Sequence, residues 1–293
     1  MRDDDQEPSS DPFGSPESQR GERPMTYFGA VGWTLLSTSL FLFLLLLIVS
    51  IRAGASTDLI TNFGLQLAST LLTLFCILRF YAPNVSIRHF LGLRSTHGGF
   101  YVLAAVLGVV IQVPATALYD VILKRNPTET DHDAALMEDL GRGTPWRLAL
   151  FVIVVLAGPF LEEVFFRGAL FRPLKKENPP LGIVFVSSLL FALVHLEKQI
   201  FIPIAIVGIT LGILRNASGS LIPSIIMHTT FNGAAFLSLY TRFRAGTASA
   251  SEPSPSIRMV VGSSVVTLLL LAITYFVGER SNSAREARSE DLA

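Results

Sequence analysis

Apolar residues in this chain come in long, nearly uninterrupted runs, without the alternation of a strand or the one-sided stripe of a surface helix. The first run, 27–51, ends in FLFLLLLIVS and is about 25 residues long. As a helix rising ~1.5 Å per residue, it is long enough for a ~30 Å hydrocarbon core. Seven further runs follow at about 59–80, 98–122, 146–170, 181–196, 199–214, 220–240 and 258–277. The pattern predicts an all-α, polytopic transmembrane helical bundle of about eight spans, give or take one. The fifth and sixth runs are about 16 residues each and are separated only by Glu197, Lys198 and Gln199, so one of them is expected to be short, tilted or re-entrant. Pro114 and Pro203 are tolerable inside their runs, because neighbouring helices can satisfy the carbonyls they free. Ala53, Gly54 and Ala55 imitate a leader-cleavage site, but the preceding run is too long and its flank is acidic, which predicts an uncleaved first span.

The polar residues gather at the ends and between the runs. Residues 1–24 hold seven acidic and three basic residues and almost nothing apolar, the composition of a disordered tail. A transmembrane domain over 25–278 and a polar C-terminal tail over 279–293 complete the organisation. With eight spans both tails share a side, and thirteen Lys and Arg residues, Arg172, Lys175, Lys176 and Arg215 among them, fall on it against nine on the other. That bias predicts a multi-pass plasma-membrane protein with both tails in the cytoplasm.

Composition narrows the function classes. The chain has 293 residues, 50% hydrophobic and 16% charged, with a mean hydropathy of +0.51, which excludes an ordinary soluble enzyme. Lys plus Arg and Asp plus Glu are 23 each, leaving no basic surplus for nucleic acid. The single Cys76 excludes an internal disulfide and a cysteine-cluster metal site. The bilayer and a peptide or membrane-protein substrate are the expected partners.

A charge near the bilayer centre costs at least ~2.5–3.5 kcal/mol on insertion scales, so each one there needs a partner or a job. Three runs carry such groups. The fourth reads LAGPFLEEVFFRGALFRP with Glu162, Glu163 and Arg167, the fifth carries His195, and the seventh carries His228 and Asn232. Glu163 and Arg167 are four residues apart, the spacing at which side chains on one helical face meet, and are expected to pair. Glu162 lies about 100° round the helix and is the better candidate for a carboxylate left free for chemistry. Phe191 and His195 share a face by the same spacing, as do His228 and Asn232. Two imidazoles, a carboxylate and an amide are the parts needed to activate water and stabilise an oxyanion. Glu162, His195 and His228 are also ordinary zinc ligands, although no HExxH string is present. The bland alternative is that each group is an interhelical contact worth ~0.6 kcal/mol.

The ordered set Glu162-Glu163-Val-Phe-Phe-Arg167, Phe191-Ala-Leu-Val-His195 and His228-Thr-Thr-Phe-Asn232 resembles the CPBP (Abi) family of intramembrane proteases, which includes the type II CAAX prenyl endopeptidases. The resemblance covers about 145–240. It implies a helical bundle with a polar intramembrane cavity and peptide-bond hydrolysis inside it. Carried over, it makes Glu162 the general base with His195 assisting, and His228 and Asn232 the oxyanion donors, with Glu163, Arg167 and Phe191 orienting the site. Family members have also been described as metalloproteases, which leaves open whether carboxylate and imidazole or zinc holds the water. Counted from the tail-side ends of their runs, Glu162 and His228 lie roughly 12 Å deep and His195 roughly 21 Å. The depths agree only if the fifth span starts later than drawn.

Other membrane proteases fit less well. The nearest string to a rhomboid Gly-x-Ser-Gly is Asn216-Ala-Ser218-Gly219, and Tyr119-Asp120 lacks the second element of a presenilin-type site. A proton-coupled transporter also buries Glu and His, but the first three runs show no repeat of the Glu162 pattern. A non-catalytic scaffold or immunity-type protein on the same fold is the other alternative. Gln66 and Gln112 read as interhelical hydrogen bonds, with cavity lining the minority alternative, and Arg172, Lys175 and Lys176 as lipid-headgroup contacts or, less favoured, a grip on a substrate terminus.

Overall fold

A computed structural model describes residues 22–52, 59–125, 132–247 and 254–290. Among them the regular structure is entirely helical. Eight long elements match the eight runs: α1 (Tyr27–Ile51), α2 (Leu59–Tyr81), α3 (Gly98–Arg125), α4 (Thr144–Lys175), α5 (Pro180–Leu193), α6 (Lys198–Ser218), α7 (Ile222–Ala245) and α8 (Ile257–Glu290). Six of these are long and apolar enough to cross a membrane. The exceptions are α5, which is short, and α7, which is long but carries His228, Asn232, Arg242 and Arg244. Large apolar side chains such as Phe28, Leu46, Leu181 and Leu268 lie on the outside of the bundle, the arrangement a lipid surround requires.

Helix ends follow the local chemistry. Thr26 caps α1 by accepting from the Gly29 N–H at 3.1 Å. Pro180 and Pro223 open α5 and α7, where an N–H is not needed. Gly219 ends α6 at φ +63°, a left-handed conformation that glycine adopts without strain. The third run is broken at Ile111, three residues before Pro114, whose missing N–H and ring disrupt the preceding turn.

The core forms where small residues let helices approach. Gly208 and Gly212 on α6 stand against Ser188 and Val184 of α5, where an added Cβ would lie 3.0 Å from each. Gly108 on α3 faces the Met227 carbonyl of α7 in the same way. The segment before α1 and the ends of α2, α4, α6 and α8 gather at one end of the bundle. The Arg23 N–H donates to the Tyr81 carbonyl at 2.8 Å, Glu22 pairs with Arg172, and Gly278 of α8 lies against Ala217 of α6.

Several expectations need correction here. Residues 1–21 of the acidic tail lie outside the described residues, but Glu22, at its end, is anchored. Its side chain is 3% exposed and bonded to Arg172 at 2.7 Å and Lys176 at 3.1 Å. Arg172 is therefore internal, not on lipid headgroups. Arg215 is internal as well, fully buried with its Nε donating to the Arg167 carbonyl at 2.8 Å. Two of the thirteen tail-side cations thus do not face the water that the positive-inside count assumes. The eighth helix continues through the polar C-terminal segment as far as Glu290.

Candidate active site

The site is built around a distortion in α4. Pro159 has no N–H, and the Gly158 N–H reaches back five residues to the Ile153 carbonyl, widening the turn over Phe151–Ala157. A Cβ on Gly158 would come within 2.9 Å of that carbonyl, which explains the glycine. A second wide stretch, Val164–Ala169, ends with the Leu170 N–H donating to the Phe165 carbonyl at 3.1 Å. Glu162 and Glu163 lie on the ordinary helical turn between the two. Wide turns of this kind recur at functional sites because they re-aim side chains.

The two adjacent carboxylates have different surroundings. Glu163 is fully buried, and its Oε1 accepts from Arg167 Nη1 at 3.1 Å, as the four-residue spacing predicts. The same oxygen lies 3.2 Å from His228 Nδ1. A carboxylate only accepts, so this contact assigns the Nδ1 proton to His228 and turns Nε2 toward Glu162, 3.7 Å from its Oε2. That distance is too long for a hydrogen bond but close enough for charge to be felt. Glu162 is 21% exposed. Arg167, Glu163, His228 and Glu162 thus form one chain of alternating charge and imidazole. Its far end is tied to α6, where Arg167 Nη2 donates to the Gly208 carbonyl at 2.8 Å.

Phe191 is the centre of the packing. Its ring lies edge-on to His195 at 5.0 Å and His228 at 5.5 Å, and the Arg167 guanidinium sits 4.6 Å over it. His195 is not on a continuing helical face, because α5 ends at Leu193 and the chain turns through Leu196 at φ +56°. Its Nδ1 stays 2.8 Å from the Phe191 carbonyl. Between Glu162 and His195 the mismatch in depth disappears, for a different reason from the one expected, and His228, six residues into α7, is then the shallow member of the set. Because α4 runs on to Lys175, Glu162 lies roughly 20 Å from that end at helical rise, about as deep as His195 lies from Pro180.

A cavity of about 270 Å³ opens beside Glu162 and His195. Its other polar wall comes from α1 and α2 through Thr34, Ser37, Thr38, Gln66, Ser69 and Thr70, with Phe165, Phe166 and Leu161 as apolar floor. Gln66 is therefore a cavity residue, whereas Gln112 donates to the Phe231 carbonyl as an interhelical contact. The structure does not bring every candidate to this wall. His228 reaches the site through Glu162, and Asn232 Nδ2 donates to the Val154 carbonyl at 2.8 Å on α4. Among the described residues no three His, Cys, Asp or Glu side chains stand together as a metal-holding set, and Glu162, His195 and His228 do not converge on one point.

Sequence reasoning missed the Gly208 carbonyl, the hydroxyls of α1 and α2, and the link between Glu163 and His228. The polar residues of α1 and α2 signal their role only weakly, since Ser and Thr are common in membrane helices. No spacing rule reports a contact made 65 residues apart.

Fold and site together define a polytopic helical membrane protein with an internal polar cavity faced by a carboxylate and an imidazole. Residues 144–234, from the start of α4 into α7, match the model of the family described as type II CAAX prenyl endopeptidase Rce1-like, the grouping that the three motifs resemble. The match spans less than half of the chain and leaves α1 and α2 outside it. No curated protein and no solved structure matches the chain.

Proposed function

We propose that this protein is an intramembrane endopeptidase that hydrolyses a peptide bond with water activated by Glu162. The observation that carries this is the contrast between two adjacent carboxylates. Glu163 is fully buried in an ion pair, while Glu162 opens onto a cavity that it shares with His195. The family match over the same helices supports the reaction class.

In the proposed mechanism a water between Glu162 and His195 gives its proton to Glu162 as its oxygen attacks the peptide carbonyl carbon. The carbon–nitrogen bond then breaks, and the proton passes from Glu162 to the leaving amine. His228 Nε2 can share that proton with Glu162, and Glu163 holds the imidazole in place through its other nitrogen. Arg167 and the Phe191 ring hold this array in place. The water is taken up by carboxylate and imidazole, and no step is routed through zinc. For localisation, the remaining positive-inside bias supports a cytoplasmic placement of the tail end of the bundle, in a plasma membrane.

The test is cleavage of membrane-anchored peptides by the purified protein in proteoliposomes. Glu162→Gln, His195→Ala and His228→Ala are each expected to abolish cleavage while the protein remains inserted and folded. Full activity in folded Glu162→Gln protein contradicts the mechanism.

A further inference from the structure

Arginines gather around a second cavity, at the end of the bundle where the segment before α1 meets the ends of α2, α4 and α6. It measures about 270 Å³ and is lined by Arg88, Arg94 and Arg172, with His89 and Ser86 between them. Among the described residues no carboxylate lines it. A fourth guanidinium stands directly behind the wall, since a Cβ on Gly92 would collide with Nη2 of the fully buried Arg215.

The local fold explains the convergence. After α2 ends at Tyr81, a five-residue helix, Ile87–Leu91, opens with the Ser86 hydroxyl accepting from the His89 N–H at 3.4 Å. It closes at Gly92, whose φ of +72° turns the chain toward the end of α6. There the Leu221 N–H donates to the Gly92 carbonyl and Arg94 Nε to the Gly219 carbonyl, each at 2.9 Å. Arg88 Nε donates to the Leu93 carbonyl at 3.0 Å, and Arg172 Nη1 to the His89 carbonyl at 3.2 Å. Backbone carbonyls of this kind fix the arginines in position without neutralising them. The carboxylate bonded here, Glu22, is shared between Arg172 and Lys176.

A concave wall of one charge sign concentrates its field on whatever enters. A carboxylate would bring one negative charge, whereas a phosphate monoester brings about −1.5 to −2 near pH 7. Its oxygens also match the guanidinium fork. Arg88 and its neighbour Ile87 are both exposed, a cation beside a large apolar side chain, which suits the boundary between lipid and water.

We propose that this cavity binds a phosphate group, with Arg88 and Arg94 as the principal donors and Arg172, held by Glu22, at its back. The shared chemistry is a phosphate monoester, carried by an anionic lipid headgroup or by a soluble compound. The site is separate from the cavity of Glu162 and His195 and does not depend on the hydrolytic reading. It adjoins the second wide turn of α4 in two places. Leu91 packs closely on Gly168, and Arg215 Nε donates to the Arg167 carbonyl at 2.8 Å. An occupant therefore braces that turn and stabilises the folded chain.

The test is isothermal titration calorimetry on the purified full-length protein in dodecyl maltoside, with the thermal unfolding midpoint as a second readout. Inorganic phosphate is one probe and dihexanoyl phosphatidic acid the other, with chloride holding the ionic strength constant. Saturable binding and a higher midpoint are expected. Similar affinity for both probes identifies a soluble source, and phosphatidic acid binding at least about tenfold tighter identifies a lipid headgroup. Arg88→Gln and Arg94→Gln are each expected to weaken binding about tenfold or more, as loss of a charge-assisted hydrogen bond requires. Arg94 also anchors the Gly219 carbonyl, so Arg88→Gln, altered at an exposed side chain, keeps the test sound if Arg94→Gln fails to fold. Arg142→Gln removes the same charge at the opposite end of α4, where Arg142 pairs with Asp139, and is expected to bind like the parent. Absence of saturable binding of both probes overturns the proposal, as does parental affinity in folded Arg88→Gln protein. An equal loss in Arg142→Gln protein also overturns it, because the attraction is then diffuse.

Discussion

Replacing Arg167 by Ala tests the buried charge chain at its most exposed point of logic. Glu163 and Arg167 side chains are both at 0% exposure and joined at 3.1 Å. Removing one member of such a pair costs about 3–5 kcal/mol, because the other is left charged in apolar surroundings. Here the loss also includes the 2.8 Å hydrogen bond to the Gly208 carbonyl and the guanidinium over the Phe191 ring. Against a total stability of about 5–15 kcal/mol, the variant is expected to lose at least about 3 kcal/mol, much of its yield and its activity. The assay is reversible unfolding of the purified protein in mixed micelles with increasing SDS. Arg167→Met combined with Glu163→Gln removes both charges, so the double variant is expected to be more stable than Arg167→Met alone, with a coupling of about 1–3 kcal/mol. Arg167→Lys should rescue little, since an ammonium cannot serve Glu163 and Gly208 with the same fork. An Arg167→Ala protein that unfolds within about 0.5 kcal/mol of the parent refutes the structural role of the pair.

Other outcomes follow from separate parts of the molecule. An added Cβ at Gly108 collides with Thr230 Oγ1 and lies 2.5 Å from the Met227 carbonyl, so Gly108→Ala should separate α3 from α7 and cost about 1–3 kcal/mol in the same unfolding assay. Burial works against the charged form of Glu22, but the hydrogen bonds and charges of Arg172 and then Lys176 outweigh it and hold its carboxyl below the ordinary 4.5. A depressed folded-state value means that this stabilisation is present above about pH 4.5 and is lost as the pH falls through the folded value. Glu22→Gln should therefore lower stability at neutral pH and flatten its decline in acid, measured as unfolding midpoint against pH. Cleavage by the purified protein is expected to be unaffected by a chelator, and a loss restored by added zinc would overturn the carboxylate-and-imidazole mechanism.

The eight helices were legible because their apolar runs are long and the breaks between them carry charge or proline, and six of them are long and apolar enough to cross a membrane. The Glu163–Arg167 pair was legible because it is local to one helix. Other features depend on how helices meet. The contact between Glu163 and His228 crosses from α4 to α7 and leaves no periodic trace. Arg215 lies at the polar end of its run beside Asn216 and reads as interfacial, yet the end of α6 is covered by neighbouring segments and the guanidinium is fully enclosed. Arg172 was misread similarly, because its partner Glu22 lies in a tail whose composition signals disorder. His195 meets Phe191 at 5.0 Å as the four-residue spacing predicts, although the helix stops two residues before it. Gln66 was ambiguous on its own, since a lone amide in a membrane helix bonds a neighbouring helix more often than it lines a cavity. Its placement depends on where α1 and α2 stand relative to α4.

The most direct test of the central claim is the single-turnover rate of peptide cleavage by Glu162→Gln protein, reconstituted and shown by its unfolding curve to be folded, compared with the unaltered chain. Loss of a positioned general base lowers such a rate about 10²–10⁴-fold, and a fall of that size is predicted here. A Glu162→Gln rate within a few-fold of the parent would contradict the assignment of Glu162 as the group that activates water.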